Sequence, residues 1–224
     1  MNRTAALVRL LQLASPALPV GAYSYSQGLE AAAEAGHVRD AAGAGQWIGD
    51  VMELSLCAME APILWRLANA WASRDGASIA RWNAEFLASR ESAELRAETV
   101  QMGYSLRRLA RELDVRGAQA LDELGEIAFP TAFAFTAIAW GVDARDALAA
   151  YLWAWLQNQV LAAVKAVPLG QTDGQRLLLR LGERIPSAVA QASCVADDEL
   201  ANFAPGLAIL SARHETQYSR IFRS

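Results

Sequence analysis

Residues 143–167 are apolar almost all the way round a helix, a pattern that constrains the fold more than any other in the chain. Such a helix cannot lie on a surface; other elements must enclose it, so it reads as the axis of the structure. Its polar exceptions are ordered. Tyr151, Asn158 and Lys165 recur every seven residues, and seven helical steps drift by only about 20°, so the three form one stripe. That stripe reads either as hydrogen-bonded packing near the domain surface or as a polar groove facing a partner. Length alone would let the apolar stretch 147–167 span a bilayer, but Gln157, Asn158 and Gln159 sit in its middle. The apolar run 128–141 falls short of the roughly 20 residues a span requires. Burial inside a protein of the cytoplasm, with no membrane partner, is the expectation. The N-terminus supports it, lacking a small-residue cleavage pattern after a basic region.

The remaining segments repeat the helical period. A first helix is predicted over 4–13. A second starts near Ser24 or Ser26 and stops at Gly36. Asp40 opens a third, carrying Trp47, Ile48, Val51 and Leu54, and Pro62 sits early in a fourth. Further helices are expected at 76–89, 92–113, 117–128, 131–140, 172–183, 185–194 and 197–203. No window alternates with a period of two, so no sheet is expected. The fold class is all-α: a single compact bundle of about ten helices around the central apolar one. The organisation is a helical domain over 1–212 followed by a C-terminal tail, 213–224.

Chemistry is sparse. With 24 acidic against 20 basic residues, the net charge is −4, which leaves no footprint for nucleic acid. Cys57 and Cys194 lie far apart without metal-binding spacing, and Cys57, in an apolar helical pattern, reads as an inert core thiol. His37 and His214 are separated by most of the chain, and no nucleophile elbow, zinc-protease helix or P-loop occurs. Glu91, Glu94 and Glu98 read as a solvated face at a helix start. No catalytic residue, resident metal or cofactor is therefore expected.

Three stretches carry the information instead. The loop LASPALPVGAYSYSQGLE, 13–30, reads as a rigid corner set by Pro16, Pro19 and Gly21, with Tyr23 and Tyr25 bracing it or facing a partner. In KAVPLGQTDGQRLL, 165–178, a helix stops and another begins near Gln171 and Thr172, beside the only lysine in the chain. The end, RHETQYSRIFRS, places His214, Tyr218 and Ile221 at helical spacing with Phe222 beside them and Arg213, Arg220 and Arg223 around the edge. As a helix this tail would present an aromatic stripe with a basic rim, the residue types of interface hot spots.

Together with ELRAETVQMGYSL (94–106), FPTAFAF (129–135) and YLWAWLQNQVLAAVKAVPLGQTDGQR (151–176), these stretches resemble the UreF family of urease accessory proteins, in order, from about residue 4 to the last. The resemblance implies an all-helical homodimer without catalytic activity. It implies a bridge between UreD (also called UreH) and the GTPase UreG, through which the urease apoprotein receives nickel in a process that also needs carbon dioxide. It implies that the tail, with Arg213, His214, Tyr218, Arg220, Ile221, Phe222 and Arg223, meets UreD. A second face, to which Tyr151, Asn158, Lys165, Gln171 and Thr172 are assigned, would meet UreG and modulate its GTPase. Two other readings stay open: an all-helical enzyme or binder of a small apolar ligand, and a direct nickel relay through His37 or His214.

Overall fold

The computed structural model describes residues 3–224; Met1 and Asn2, at the start of the 1–212 unit, lie outside the described residues. Among the described residues every regular element is helical. The α-helices are α1 (Arg3–Leu13), α2 (Leu29–Glu34), α3 (Ala41–Val51), α4 (Ala61–Ser73), α5 (Gly76–Ala88) and α6 (Ala93–Glu112). They continue with α7 (Phe129–Ala139), α8 (Ala144–Ala166), α9 (Gln171–Gly182), α10 (Ile185–Ala192) and α11 (Pro205–His214). None is long and apolar enough to cross a membrane.

The expected axis is α8. It packs against α1, α2, α3, α4, α7, α9 and α10, with Leu148, Leu152 and Leu156 fully buried. Enclosure is incomplete: Trp153 and Leu161 are each 38% exposed, so one edge of the central helix reaches the surface. Cap chemistry sets most boundaries. Asp40, Asp75, Ser92 and Asp143 each accept a main-chain N–H from the first turn of the helix they open. Gly36, at φ 76°, closes the turn after α2 as its position predicts. A π-helical stretch, Met52–Glu60, joins α3 to α4, so 41–73 is one continuous rod with Pro62 at the start of its final segment. π turns of this kind concentrate at functional sites, and this one delivers Glu60 to the core.

Four expected helices are corrected. The helix expected from Ser24 or Ser26 begins only at Leu29, after a 3₁₀ turn, Ala22–Ser24, because Gln27 and Gly28 take left-handed conformations. Only 118–123 of the 117–128 segment coils, as a 3₁₀ turn. Beyond it the Arg107 guanidinium takes the Leu124 and Gly125 carbonyls at 3.1 and 3.4 Å. The 197–203 segment coils only at Asp197–Glu199. It then crosses the rod, held by Ala201 N–H on the Ala58 carbonyl and by Asn202 between Ser55 and the Ser89 carbonyl. The tail is not a helix beyond His214: Thr216 and Gln217 close a turn onto residues three earlier, and the N–H groups of Ile221 and Phe222 bond to the distant Glu30 carboxylate and that of Arg223 to the Ser24 carbonyl. In its place α11, which the periodicity did not single out, spans 205–214, so the 212/213 division falls inside a helix.

Candidate functional site

The corner between α1 and α2 carries the main polar centre of the molecule. Pro16 and Pro19 are exposed, and Gly21 at φ 83° turns the chain into the 3₁₀ turn. That turn sends the two tyrosines opposite ways: Tyr23 is 61% exposed, whereas Tyr25 is buried. Burial and the Glu98 carboxylate beside it raise the Tyr25 hydroxyl above its ordinary value, with Arg223 pulling the other way. Gln27 holds φ 51°, uncommon for a residue with a side chain. Its amide nitrogen donates to Glu98 at 2.8 Å, and its amide oxygen accepts from Trp155 Nε1 at 2.7 Å. Those two bonds tie the corner to α6 and α8.

Glu30 of α2 and Glu94 and Glu98 of α6 form a floor on which the last residues of the chain lie. Glu30 accepts the N–H groups of Ile221 at 2.7 Å and Phe222 at 2.9 Å. Glu94 takes Arg220 at 2.8 Å, and Glu98 takes the Ser224 hydroxyl at 2.9 Å. His214 lies fully buried between Glu94 (Nδ1, 2.7 Å) and Glu30 (Nε2, 3.1 Å). Main-chain pairing completes the strap. Ser26 gives both its N–H (2.7 Å) and its hydroxyl (2.5 Å) to the Ser224 main-chain oxygen, and Arg223 N–H reaches the Ser24 carbonyl at 2.8 Å. Burial pushes the Glu98 carboxyl up to about 7, opposed by the hydrogen bonds from Gln27 and Ser224. The expectation of a solvated Glu91–Glu94–Glu98 face is corrected here. Glu91 is exposed, but Glu98 is buried and Glu94 half-buried, because α11 and the strap cover that side of α6.

Beneath this floor lies a second charged group. Glu60 pairs with Arg90 at 3.3 Å, both side chains being over nine-tenths buried, and accepts the Tyr151 hydroxyl. The Arg90 guanidinium stacks over Phe86, and the Tyr151 ring meets Phe133 edge-on. Burial first, then Glu60, hold the Tyr151 hydroxyl well above its ordinary value, so it stays a proton donor. A cavity of about 80 Å³ lies between the corner and these groups, lined by Pro16, Leu18, Tyr23, Glu60, Glu98 and Tyr151 among others. Ligand pockets usually run to about 300–1,000 Å³, so this one suits a few waters rather than a cofactor-sized molecule.

The predicted stripe on α8 therefore runs inward to outward. Tyr151 is buried, Asn158 is half-buried and donates to the Tyr25 carbonyl at 3.0 Å, and Lys165 is exposed. Lys165 Nζ lies 5.6 Å from the centre of the Phe222 ring, within cation–π range. The two groups of residues assigned to separate partners thus adjoin. Gln171 and Thr172 are exposed at the start of α9. The single aromatic stripe expected on the tail is split: His214 and Phe222 turn inward, while Tyr218 and Ile221 (104% and 65% exposed) point out and Arg213 and Arg223 are exposed. Cys57 is half-buried, and burial pushes its thiol up to about 11, away from the thiolate a nucleophile needs. Cys194 and His37 are exposed.

Periodicity did not single out Gln27, Glu30, Glu60 or Arg90 as site residues. The signal available for Glu30 was a carboxylate inside the otherwise apolar LEAAA run, and for Gln27 its place before a glycine in a loop already dense in special residues.

Comparison with known proteins gives a uniform result. The UreF family model matches residues 38–182, more than half of the chain. A protein of Azoarcus sp. named urease accessory protein UreF is 61% identical over 223 residues, covering 97% of this chain and 95% of the relative. A namesake from Dechloromonas aromatica is 57% identical over 97% of both chains, and one from Methylobacillus flagellatus is 51% identical over the full length of both. The last alignment takes in the corner and the strap, both of which lie outside the span of the family model.

Proposed function

Because the chain belongs to the UreF family of urease accessory proteins, we propose that it is a non-catalytic scaffold of the cytoplasm that bridges UreD (UreH) and the GTPase UreG during nickel insertion into urease. The observation that carries this reading is the strap. It is an ordered segment, fastened through at least six hydrogen bonds of its last five residues, that nevertheless leaves Tyr218 and Ile221 exposed. Large exposed apolar side chains on an anchored segment cost solvation and support a docking role. UreD is the partner assigned to them, with Arg220 and Arg223 fixing register. UreG is assigned the adjoining face at Lys165, Gln171 and Thr172, where modulation of its GTPase would occur. Tyr151 and Asn158 act behind that face, by holding α8 to the rod and the corner. The homodimer implied by the family would cover an apolar face such as Leu7, Val8 and Leu11 on α1, each more than half exposed. In this reading nickel is cargo; a direct relay through His214 would first have to displace the carboxylates facing both of its ring nitrogens.

Point variants test the strap better than truncation does, since cutting after Ala212 would strip Glu30 and Glu94 of His214 and the strap and leave Glu98 with Gln27 alone. The double substitution Tyr218→Ala, Ile221→Ala is expected to weaken UreD capture at least about 100-fold, by hot-spot magnitudes. It should leave the melting temperature nearly unchanged, because both side chains are exposed. Unchanged capture contradicts the assignment. For the second face, Lys165→Ala is expected to weaken UreG binding about tenfold and to lower the nickel content of urease matured in its presence. If neither changes, Lys165 is ordinary surface.

A further inference from the structure

The strap closes over a buried carboxyl group that is shared with the core. Glu98 accepts from Ser224 on one oxygen and from Gln27 on the other, and it is buried with the strap above it and the corner beside it. Releasing residues 220–224 therefore removes one of the two hydrogen bonds and admits water to the carboxyl. An acid that is dry when the strap is down and wet when it is up holds its proton more tightly in the docked state.

We propose that the strap is a proton-linked latch: docking of residues 220–224 takes up a proton at Glu98, and rising pH loosens them. The titratable and charged groups facing Glu98 are Glu60 from the rod, Arg90 from the α5–α6 turn, Tyr151 from α8 and Tyr25 from the corner, which Arg223 of the strap also approaches. Glu60 and Arg90 are paired with each other and largely cancel at Glu98. The strap's remaining polar anchors, Glu30, Glu94 and His214, hold main-chain N–H groups, Arg220 and one another rather than Glu98.

The direction follows from the raised value. Docked, burial pushes the Glu98 carboxyl up to about 7; freed into water it returns toward the ordinary 4.5. Below that lower value the carboxyl is protonated in both states, and docking is at full strength. As pH rises between the two values, only the released state ionises, so docking weakens by up to about tenfold per pH unit. Above 7 the loss is complete and docking levels off. This latch depends on the geometry of the chain alone and holds whichever partner the strap engages.

Amide exchange on the full-length chain tests it, with each rate divided by its intrinsic value so that the chemical pH dependence cancels. From about pH 5 to about pH 8, protection of the Ile221 and Phe222 amides is expected to fall roughly tenfold to fiftyfold, while that of Leu106, further along α6, holds steady. Glu98→Gln, which mimics the protonated carboxyl, is expected to remove most of that fall and to keep the strap docked at the upper pH. Flat protection in the unaltered chain overturns the latch. So does a Glu98→Gln variant that retains half or more of the fall, or a parallel loss at Leu106, which would mean general loosening of α6.

Discussion

Arg90→Met is expected to destabilise the chain by about 3–5 kcal/mol, the usual penalty for stripping the partner from a buried ion pair. The reason is what it leaves behind. Glu60 has one oxygen on Tyr151 and the other on Arg90, and its side chain is 9% exposed, so the few waters of the adjoining cavity are a poor substitute for a guanidinium charge. Arg90 also stacks on Phe86, a contact methionine largely preserves, so the loss isolates the charge rather than the packing. The matching control is Glu60→Gln combined with Arg90→Met. It removes both charges, keeps an acceptor for the Tyr151 hydroxyl, and is expected to recover most of the stability, because neutral replacement of a buried pair is often tolerated. Urea unfolding at neutral pH measures both. A single-variant loss below about 1 kcal/mol, the scale of an exposed pair, would mean that the pair is solvated.

Gly103→Ala is expected to cost about 3 kcal/mol or more, at the upper end of overpacking penalties. The added Cβ would stand 2.2 Å from the Ile127 carbonyl oxygen and 2.9 Å from the carbonyl carbon of Ala128. Both are main-chain atoms at the entry to α7, so relief requires moving α6 and α7 apart where they pack together. Gly45→Ala is the instructive contrast. Its Cβ would meet the Arg180 guanidinium at 2.0 Å, a closer approach on paper. That atom ends a flexible, exposed side chain that swings away, and the gain in helix propensity, about 1 kcal/mol, offsets part of the remaining crowding against Leu177. Thermal unfolding of the two variants should therefore separate widely. Equal losses would show that the α6–α7 approach is softer than its geometry implies.

Much of the fold was legible because its signals are local. The apolar circumference of 143–167 marks the central helix, and Asp40 and Pro62 mark helix starts, because cap and proline chemistry acts within one turn. The strap was not legible. The spacing of His214, Tyr218 and Ile221 fits a helix, yet the groups that decide its conformation, Ser24, Ser26 and Glu30, lie nearly the whole chain away: Ser26 and Ser224 are 198 residues apart. Helix α11 escaped notice because it opens on Pro205 and Gly206 without a capping side chain. Glu94 and Glu98 illustrate a third limit. Charged residues at helical spacing define a face, but only the tertiary arrangement decides whether that face meets water or, as here, α11 and the strap.

The resemblance to the UreF family rested on stretches that now have physical roles. The corner orients Tyr23 outward and Gln27 inward, the 94–106 stretch supplies the strap's floor and the glycine at the α6–α7 contact, and the ending is the strap itself. What sequence could not order was the relation between the two assigned faces, and the approach of Lys165 to Phe222 places them side by side.

The most direct measurement of the scaffold role is to mix the purified chain with UreD and UreG and determine the mass of the product by light scattering after size exclusion, with and without GTP. The account predicts one species containing all three proteins, built on two copies of this chain, whose stability responds to the nucleotide. Three separate peaks under every condition would contradict it.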